Sequence, residues 1–292
     1  MDNRWILVDN AHKRETAQRD ILGAQHIGLD TEYDSFRYFR EKLCLIQIST
    51  ESRVYLFDPL LDIDFSFLGE VSANPATVKI IHACDNDIRL LNRDYGFRFK
   101  NIFDTYRAAC ILGDTGLSLK SIILDYLRVD LKKTKKIQRS RWDVRPLTDE
   151  QLDYAALDTH HLIDLYSRLK ERLTRNNLEE AAEEIFDKMA AVRWHEKTFN
   201  PKGFFTVDGY DELEECQRLR LKKLYHWRFE MAKRTNTAPF LVLSDRTIVD
   251  LSKEEAGTVK SLGEAGILSA EKVKAFGSEI IKMLGQVTET AW

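Results

Sequence analysis

The sequence predicts an α/β domain built on a mixed sheet, followed by a small all-helical domain. Three observations carry this. Short β-rich runs with brief connections crowd the first third of the chain, apolar runs lead directly into helical stretches from about residue 78, and the strand signal is lost from about residue 176 onward. A meander followed by helix–strand–helix units is the pattern of a mixed sheet covered by helices. A length of 292 residues suits about two domains of roughly 150 residues each.

Taken in order, residues 5–8 form a short apolar run and 11–22 a polar, helix-like stretch. Residues 26–32 (HIGLDTE) alternate, sending Ile27 and Leu29 to one face and Gly28, Asp30 and Glu32 to the other. The runs 43–49 (LCLIQIS) and 53–57 (RVYLF) follow closely enough to predict an antiparallel meander. Residues 78–82 (VKIIH) read as a buried strand feeding a helix over 86–95. Helical periodicity returns over 118–127 and 148–173, and Thr148 with Gln151 three residues on makes a capping box for one long helix. Helices are predicted over 179–192 and 213–234, the latter with apolar Leu213, Leu221, Leu224, Trp227 and Met231. Between them, 199–209 (FNPKGFFTVDG) carries a proline and two glycines and reads as a linker. Short helical stretches fill the tail to about residue 284.

Apolar content of 43% and charged content of 31% are ordinary for a soluble globular chain. The polar N-terminus lacks a secretory apolar core, and no stretch approaches the ~20 apolar residues of a membrane span, so a cytoplasmic protein with no membrane partner is expected. Cys44, Cys84, Cys110 and Cys216 show no CxxC pair, which predicts reduced, mostly buried thiols and no structural zinc. A net charge of −3 does not exclude a nuclease, because polyanion binding needs only a local basic face.

Asp30 and Glu32, two residues apart on one strand, share a face. Buried side by side, two carboxylates repel unless a cation neutralises them; at a strand end they would simply be solvated. Tyr154 and Asp158 lie four apart on a helical pattern and share a helix face, which a core tyrosine beside a surface acid would equally satisfy. Asp85 or Asn86 suits a helix N-cap, which leaves Asp87 harder to explain as one.

Together these residues carry a resemblance. An acidic pair on a strand (Asp30, Glu32), an Asp after HACDN (Asp87) and a late Tyr-x-x-x-Asp (Tyr154, Asp158) resemble the tyrosine-bearing branch of the DEDD superfamily of 3′→5′ exonucleases, and within it the ribonuclease D family. HIGLDTE, LCLIQIS, VKIIHACDNDIRLL, NIFDTYRAA, LSLKSI and RPLTDEQLDYAALDTHHL carry it across residues 5–173. It implies an RNase H-like fold and two divalent ions, Mg²⁺ or Mn²⁺, suited to oxygen ligands. By the same resemblance Asp30 bridges both ions, Glu32 and Asp158 complete the first, Asp87 supports the second, and Tyr154 orients the attacking water. Asp104 is a structural or supporting acid outside the metal set. The sister branch uses a His five residues before its last acid; here that position is Asp153, while His82 precedes the middle acid and reads as a packed strand-end residue.

Where family members carry Ser-Asp-Trp this chain has Ser140-Arg141-Trp142. Lys132, Lys133, Lys135, Lys136, Arg139, Arg141 and Arg145 lie close together around Trp142, the residue types of a phosphate track with a stacking aromatic, or of a solvated basic loop. From residue 210 the chain resembles the HRDC domain, on LKKLYHWRFEMAKRTNTAPFLVLSD. Trp227, Leu224 and Phe240 are expected in its core, while Arg218, Arg220, Lys222 and Lys223 suit either phosphate contacts or an exposed charged face. The expected division is an exonuclease domain over 1–175, a helix and linker over 176–209 and an HRDC-like domain over 210–292. The expected activity is trimming of RNA 3′ ends, tRNA precursors among them, to 5′-mononucleotides, with single-stranded RNA ends as partner. A DNA exonuclease and a non-catalytic nucleic-acid-binding protein are the alternatives; the intact acid set speaks against the latter.

Overall fold

The computed structural model describes residues 5–132, 135–255 and 257–285. The chain divides into two compact units, one of residues 1–34 and 42–195, the other of residues 35–41 and 196–292.

The first unit is built on a six-stranded sheet of order β1-β4-β3-β2-β5-β6. Its strands are β1 (Trp5–Val8), β2 (His26–Asp34), β3 (Lys42–Ser49), β4 (Val54–Phe57), β5 (Val78–Ile81) and β6 (Ile102–Asp104). The meander is antiparallel through β2, β3 and β4, while β1 joins β4, and β5 joins both β2 and β6, in parallel. The sheet is therefore mixed, as the sequence predicts. Alternation along β4 splits the core in two: Tyr55 and Phe57 face the larger cluster, Val54 and Leu56 the smaller.

Nine helices belong to this unit among its described residues: α1 (Ala11–Leu22), α2 (Phe67–Ala73), α3 (Asp85–Tyr95), α4 (Thr105–Ile111), α5 (Leu119–Leu127), α6 (Lys135–Gln138), α7 (Asp149–His160), α8 (Leu162–Arg175) and α9 (Glu179–Ala190). The capping box forms at α7, with the Thr148 hydroxyl accepting from the Gln151 amide and the Gln151 side chain accepting from the Thr148 amide. The single helix expected over 148–173 is instead two, because the backbone leaves the helix at His161 (φ −103°, ψ 3°). That break lets α7 lie over β2, β3 and β4 while α8 turns toward β2, β5, α4 and α5. Helix α9, which the sequence division places beyond the first domain, packs Ala182, Phe186 and Ala190 into the first unit's core.

The second unit is helical: α10 (Glu215–Thr235), α11 (Pro239–Val242), α12 (Asp245–Lys253), α13 (Val259–Glu264) and α14 (Ala270–Gly285). Its core gathers Leu221, Leu224, Met231, Leu243, Ile248, Leu251, Leu262 and Ile280. The stretch read as a linker is ordered, with a 3₁₀ turn over Gly203–Thr206 and with Phe204 and Val207 buried. The β2–β3 connection, residues 35–41, also belongs here. Phe39 enters this core, the Arg40 amide donates to Asn236 Oδ1 at 2.8 Å and the Ala238 amide donates to the Arg37 carbonyl at 2.9 Å.

Three expectations are corrected. Phe240 is not core but 43% exposed, with its ring 4.8 Å from the still more exposed Phe36. Trp227 is half-buried and donates its indole N–H to Glu279. All four cysteines are free as expected, but Cys110 and Cys216 are exposed rather than buried. No helix among the described residues is long and apolar enough to cross a membrane.

Candidate active site

Strand β2 pairs with β5 only from His26 to Gly28, so Asp30 and Glu32 lie beyond that ladder, held on the other side by β3 opposite Gln47 and Leu45. The register shifts between Glu32 and Tyr33, leaving Cys44 as an extra residue on β3 just past the acids. Helix α7 covers this face. Its approach depends on Gly28, where a Cβ would lie 2.3 Å from Ser49 Oγ, 3.0 Å from the Thr159 carbonyl and 3.1 Å from Leu162 Cβ. Ser49 Oγ donates to that same Thr159 carbonyl at 2.9 Å, tying the end of α7 to the sheet one residue past Asp158.

The result is a carboxylate cluster. Asp30, Glu32 and Asp158 each offer an oxygen, all within 4.8 Å of one another. Asp87, in the first turn of α3, is not one of the three but borders them, since its carboxylate accepts from the hydroxyl of Thr31, the residue between Asp30 and Glu32. Burial, and then the charge of Asp30, hold the Asp87 carboxyl well above its ordinary range. Burial, followed by the charges of Glu32 and Asp30, likewise pushes the Tyr154 phenol far up, so at neutral pH it is a hydrogen-bonding hydroxyl and not a base. Across the ladder from Asp30, the fully buried carboxamide of Gln47 has no hydrogen-bond partner among the described residues. Four crowded acids, hard oxygen donors and an orphaned buried amide fit divalent cations of the Mg²⁺ class.

Asp30, Tyr154 and Asp158 line a cavity of 440 Å³ together with His82, Ser118, Lys120 and Gln138. His82 is packed, as expected, its ring edge-on to Tyr106 and its Nδ1 2.9 Å from Thr105 Oγ1, but it also borders the cavity. Sequence reasoning passed over Lys120 and Gln138; their only signal was the place of Lys120 within LSLKSI and of Gln138 within the basic stretch. Asp153, at the sister branch's His position, is turned to the Trp5 indole at 2.7 Å. Asp104 is fully buried and structural: its Oδ1 accepts from the amides of Ala83, Tyr106 and Arg107, its Oδ2 from Cys84. It thus serves the starts of both α3 and α4. Ala83 adopts a left-handed φ of 56° in making this contact.

Within the basic stretch, Trp142, Arg141 and Arg145 are taken up by contacts of the fold. Trp142 is 2% exposed, packs against Tyr154 and donates its indole N–H to the Gln138 carbonyl, so it offers no face for a base. Arg141 is paired with Asp143 through two hydrogen bonds. The Arg145 guanidinium is spent on Asp58 and on the carbonyls of Cys44, Trp142 and Val144. Lys132, Lys136 and Arg139 are exposed; Lys135 opens α6, and Lys133 lies outside the described residues. Arg145→Met is expected to leave the buried Asp58 unpaired and lower stability by about 3 kcal/mol. Thermal unfolding reads this, and the salt dependence of RNA binding should stay unchanged; a shallower salt slope would instead make Arg145 a phosphate contact.

Residues 6–174 match the model of the 3′–5′ exonuclease family, more than half of the chain. The chain belongs to the 3′–5′ exonuclease family. Downstream of this exonuclease domain, residues 217–284 match the HRDC domain. Among curated relatives, the exosome complex component 10 homolog of Caenorhabditis elegans is 30% identical over 257 residues, covering 86% of this chain and 29% of that protein. Ribonuclease D of Haemophilus influenzae is 29% identical over 262 residues, covering 89% and 65%. The exonuclease chain thus spans under a third of the first relative's length. Among solved structures, the catalytic core of RRP6 from Trypanosoma brucei superposes with a TM-score of 0.88 at 23% identity, covering 98% of this chain and 80% of that one. Escherichia coli RNase D gives 0.71 at 22%, covering 97% and 75%. At these identities the structural likeness speaks for the fold.

Proposed function

We propose that this exonuclease is a metal-dependent 3′→5′ exoribonuclease of the ribonuclease D type, acting on single-stranded 3′ ends of structured RNA such as tRNA precursors and releasing 5′-mononucleotides in the cytoplasm. The observation that carries it is the meeting of Asp30, Glu32 and Asp158 in one cluster, bordered by Asp87 and lined by Tyr154. The RNA preference is supported by relatives named as ribonuclease D and as exosome components. Asp30, Glu32, Asp87 and Asp158 would hold two divalent ions, Mg²⁺ or Mn²⁺. Bound there, such ions lower the pKa of the attacking water and stabilise the leaving 3′ oxygen.

The chain's own residues do the rest. The carboxylates fix where charge is placed, and their partial burial beside α7 strengthens the field. Tyr154, held as a neutral phenol, orients water by hydrogen bonding and takes no proton. Lys120 lines the same cavity and suits a phosphate oxygen; exposed Lys136 and Arg139 flank cavity-lining Gln138 and suit the strand leading in.

Tyr154→Phe is expected to lower kcat by about 100-fold through mispositioning of the water, with RNA affinity unchanged. Single-turnover kinetics alongside equilibrium binding separates the two, and an equal loss of both would reject the orienting role. The activity itself is tested by a time course on 5′-labelled single-stranded RNA and its DNA analogue with Mg²⁺, Mn²⁺ or chelator. A metal-dependent ladder from the 3′ end of RNA supports the proposal. Faster shortening of DNA moves the assignment to a DNA exonuclease, and no shortening of either with binding intact removes catalysis altogether.

A further inference from the structure

The second unit holds a cavity of 430 Å³ that the active site does not use. Leu219, Lys222, Lys223 and His226 line it from α10, at the i, i+3, i+4, i+7 spacing of one helix face, with Tyr225 beside them. Phe199, from the segment before the helix, closes the other side. Its ring lies 4.8 Å from the His226 imidazole at an interplanar angle of 34° and 5.8 Å from Tyr225. Leu219 is 45% exposed, so the lining faces water.

The surrounding charges separate this patch from the rest of the helix. Arg220 is buried and donates to the Glu254 carbonyl. Arg218 sits over the Tyr210 ring and donates to the Asp211 carbonyl. Both are structural, which removes two of the four cations the sequence offered for phosphate. Lys222 lies 5.8 Å from the Phe204 ring centroid, and neither it nor Lys223 is ion-paired among the described residues. The nearby carboxylate is Glu230, with an oxygen 3.9 Å from His226 Nε2.

We propose that this cavity is a single-strand nucleic-acid subsite, in which a base stacks on the Phe199–His226 wall and its flanking phosphates meet Lys222 and Lys223. Flat ring faces beside ammonium groups are what a nucleotide presents complementary surfaces to: every base has a π-face, and each phosphate carries a charge. An acidic peptide would use the lysines but leave the ring faces unsatisfied. The inference rests on the reading of the chain as an exonuclease of single-stranded RNA ends, and it assigns that substrate a second anchoring point outside the active site.

The test uses the full chain in an Asp30→Asn background, so that hydrolysis does not disturb binding, with a fluorescently labelled single-stranded oligoadenylate of about 20 nucleotides as probe. Lys222→Ala/Lys223→Ala is expected to weaken binding about 10-fold and to reduce the salt slope by about 1.4, the value for two phosphates on a single strand. His226→Ala and Phe199→Leu, which keeps an apolar side chain but removes the ring, are expected to weaken it about 10-fold with the salt slope intact, as loss of stacking does. Far-ultraviolet circular dichroism and the melting temperature confirm that each variant is folded. Wild-type affinity and slope in all three folded variants overturns the subsite, as does protection of His226 by an oligoglutamate peptide but not by the oligonucleotide. Failure of the underlying reading has a different signature, since the protein with Asp30 intact would then not shorten RNA at all.

Discussion

Asp30→Asn is expected to abolish RNA shortening, by at least about 1,000-fold, while leaving the protein as stable as before or slightly more so in chelator. The two effects have one cause. Asp30 pairs across the sheet with Gln47, shares the cluster with Glu32 and Asp158, and is the charge that, after burial, most raises the Asp87 carboxyl. Asparagine keeps the shape but removes one of several crowded like charges, which relieves repulsion when no cation is present. With Mg²⁺ or Mn²⁺ the sign reverses, because the lost charge is one the ions need. A loss of about 4 kcal/mol of transition-state stabilisation corresponds to the 1,000-fold fall at 1.36 kcal/mol per decade. Melting temperatures with chelator and with Mn²⁺ check it: wild type should gain stability from the ion and the variant should gain little. A variant that keeps both the Mn²⁺ shift and the activity would remove Asp30 from the metal set.

Gly28→Ala is expected to cost about 2–3 kcal/mol of stability and to lower kcat by about 100-fold, although Gly28 carries no chemistry. The added Cβ would press on Ser49 Oγ at 2.3 Å and on the Thr159 carbonyl at 3.0 Å. The first contact can yield by rotating the serine, but that breaks its 2.9 Å hydrogen bond to Thr159. The second is backbone, so the end of α7 must lift. Overpacking of this kind typically costs 1–3 kcal/mol, and about 1 Å of displacement at a reacting centre is enough for the rate effect. Asp158 precedes Thr159 and moves with it, whereas Asp30 and Glu32 stay on β2. The expected outcome is a lowered melting temperature together with a weakened Mn²⁺-induced shift. A variant that loses stability yet keeps kcat would show that the Asp158 position tolerates movement of the α7 terminus.

Legibility in the sequence followed the range of the interaction. Period-two alternation places Asp30 and Glu32 on one face of β2, and a spacing of four places Tyr154 and Asp158 one turn apart on α7, because both depend only on local backbone geometry. The meander, the capping box at Thr148 and the helical character of the second unit are local in the same sense. That Asp158 meets the β2 acids depends on Gly28 and Ser49, distant in the chain, and came from resemblance rather than from spacing. Composition did not show which members of the basic stretch are spent within the fold. Basic residues near an aromatic suggested a phosphate track, yet Trp142 fills the core beside Tyr154 and Arg145 is consumed by Asp58 and three carbonyls.

By itself, then, the sequence determined the mixed-sheet domain and the helical domain after it, since these follow from periodicity and residue type, while the candidate acids came from their resemblance to a family pattern. Only the tertiary structure decided which charges are available and which rings are exposed. Arg220 turned inward to the Glu254 carbonyl while Lys222 and Lys223 remained beside Phe199 and His226; Phe240 came to the surface while Phe39, from the β2–β3 connection, entered the second core. The physical reason is that burial is settled by partners far away in sequence, which no local pattern of residues specifies.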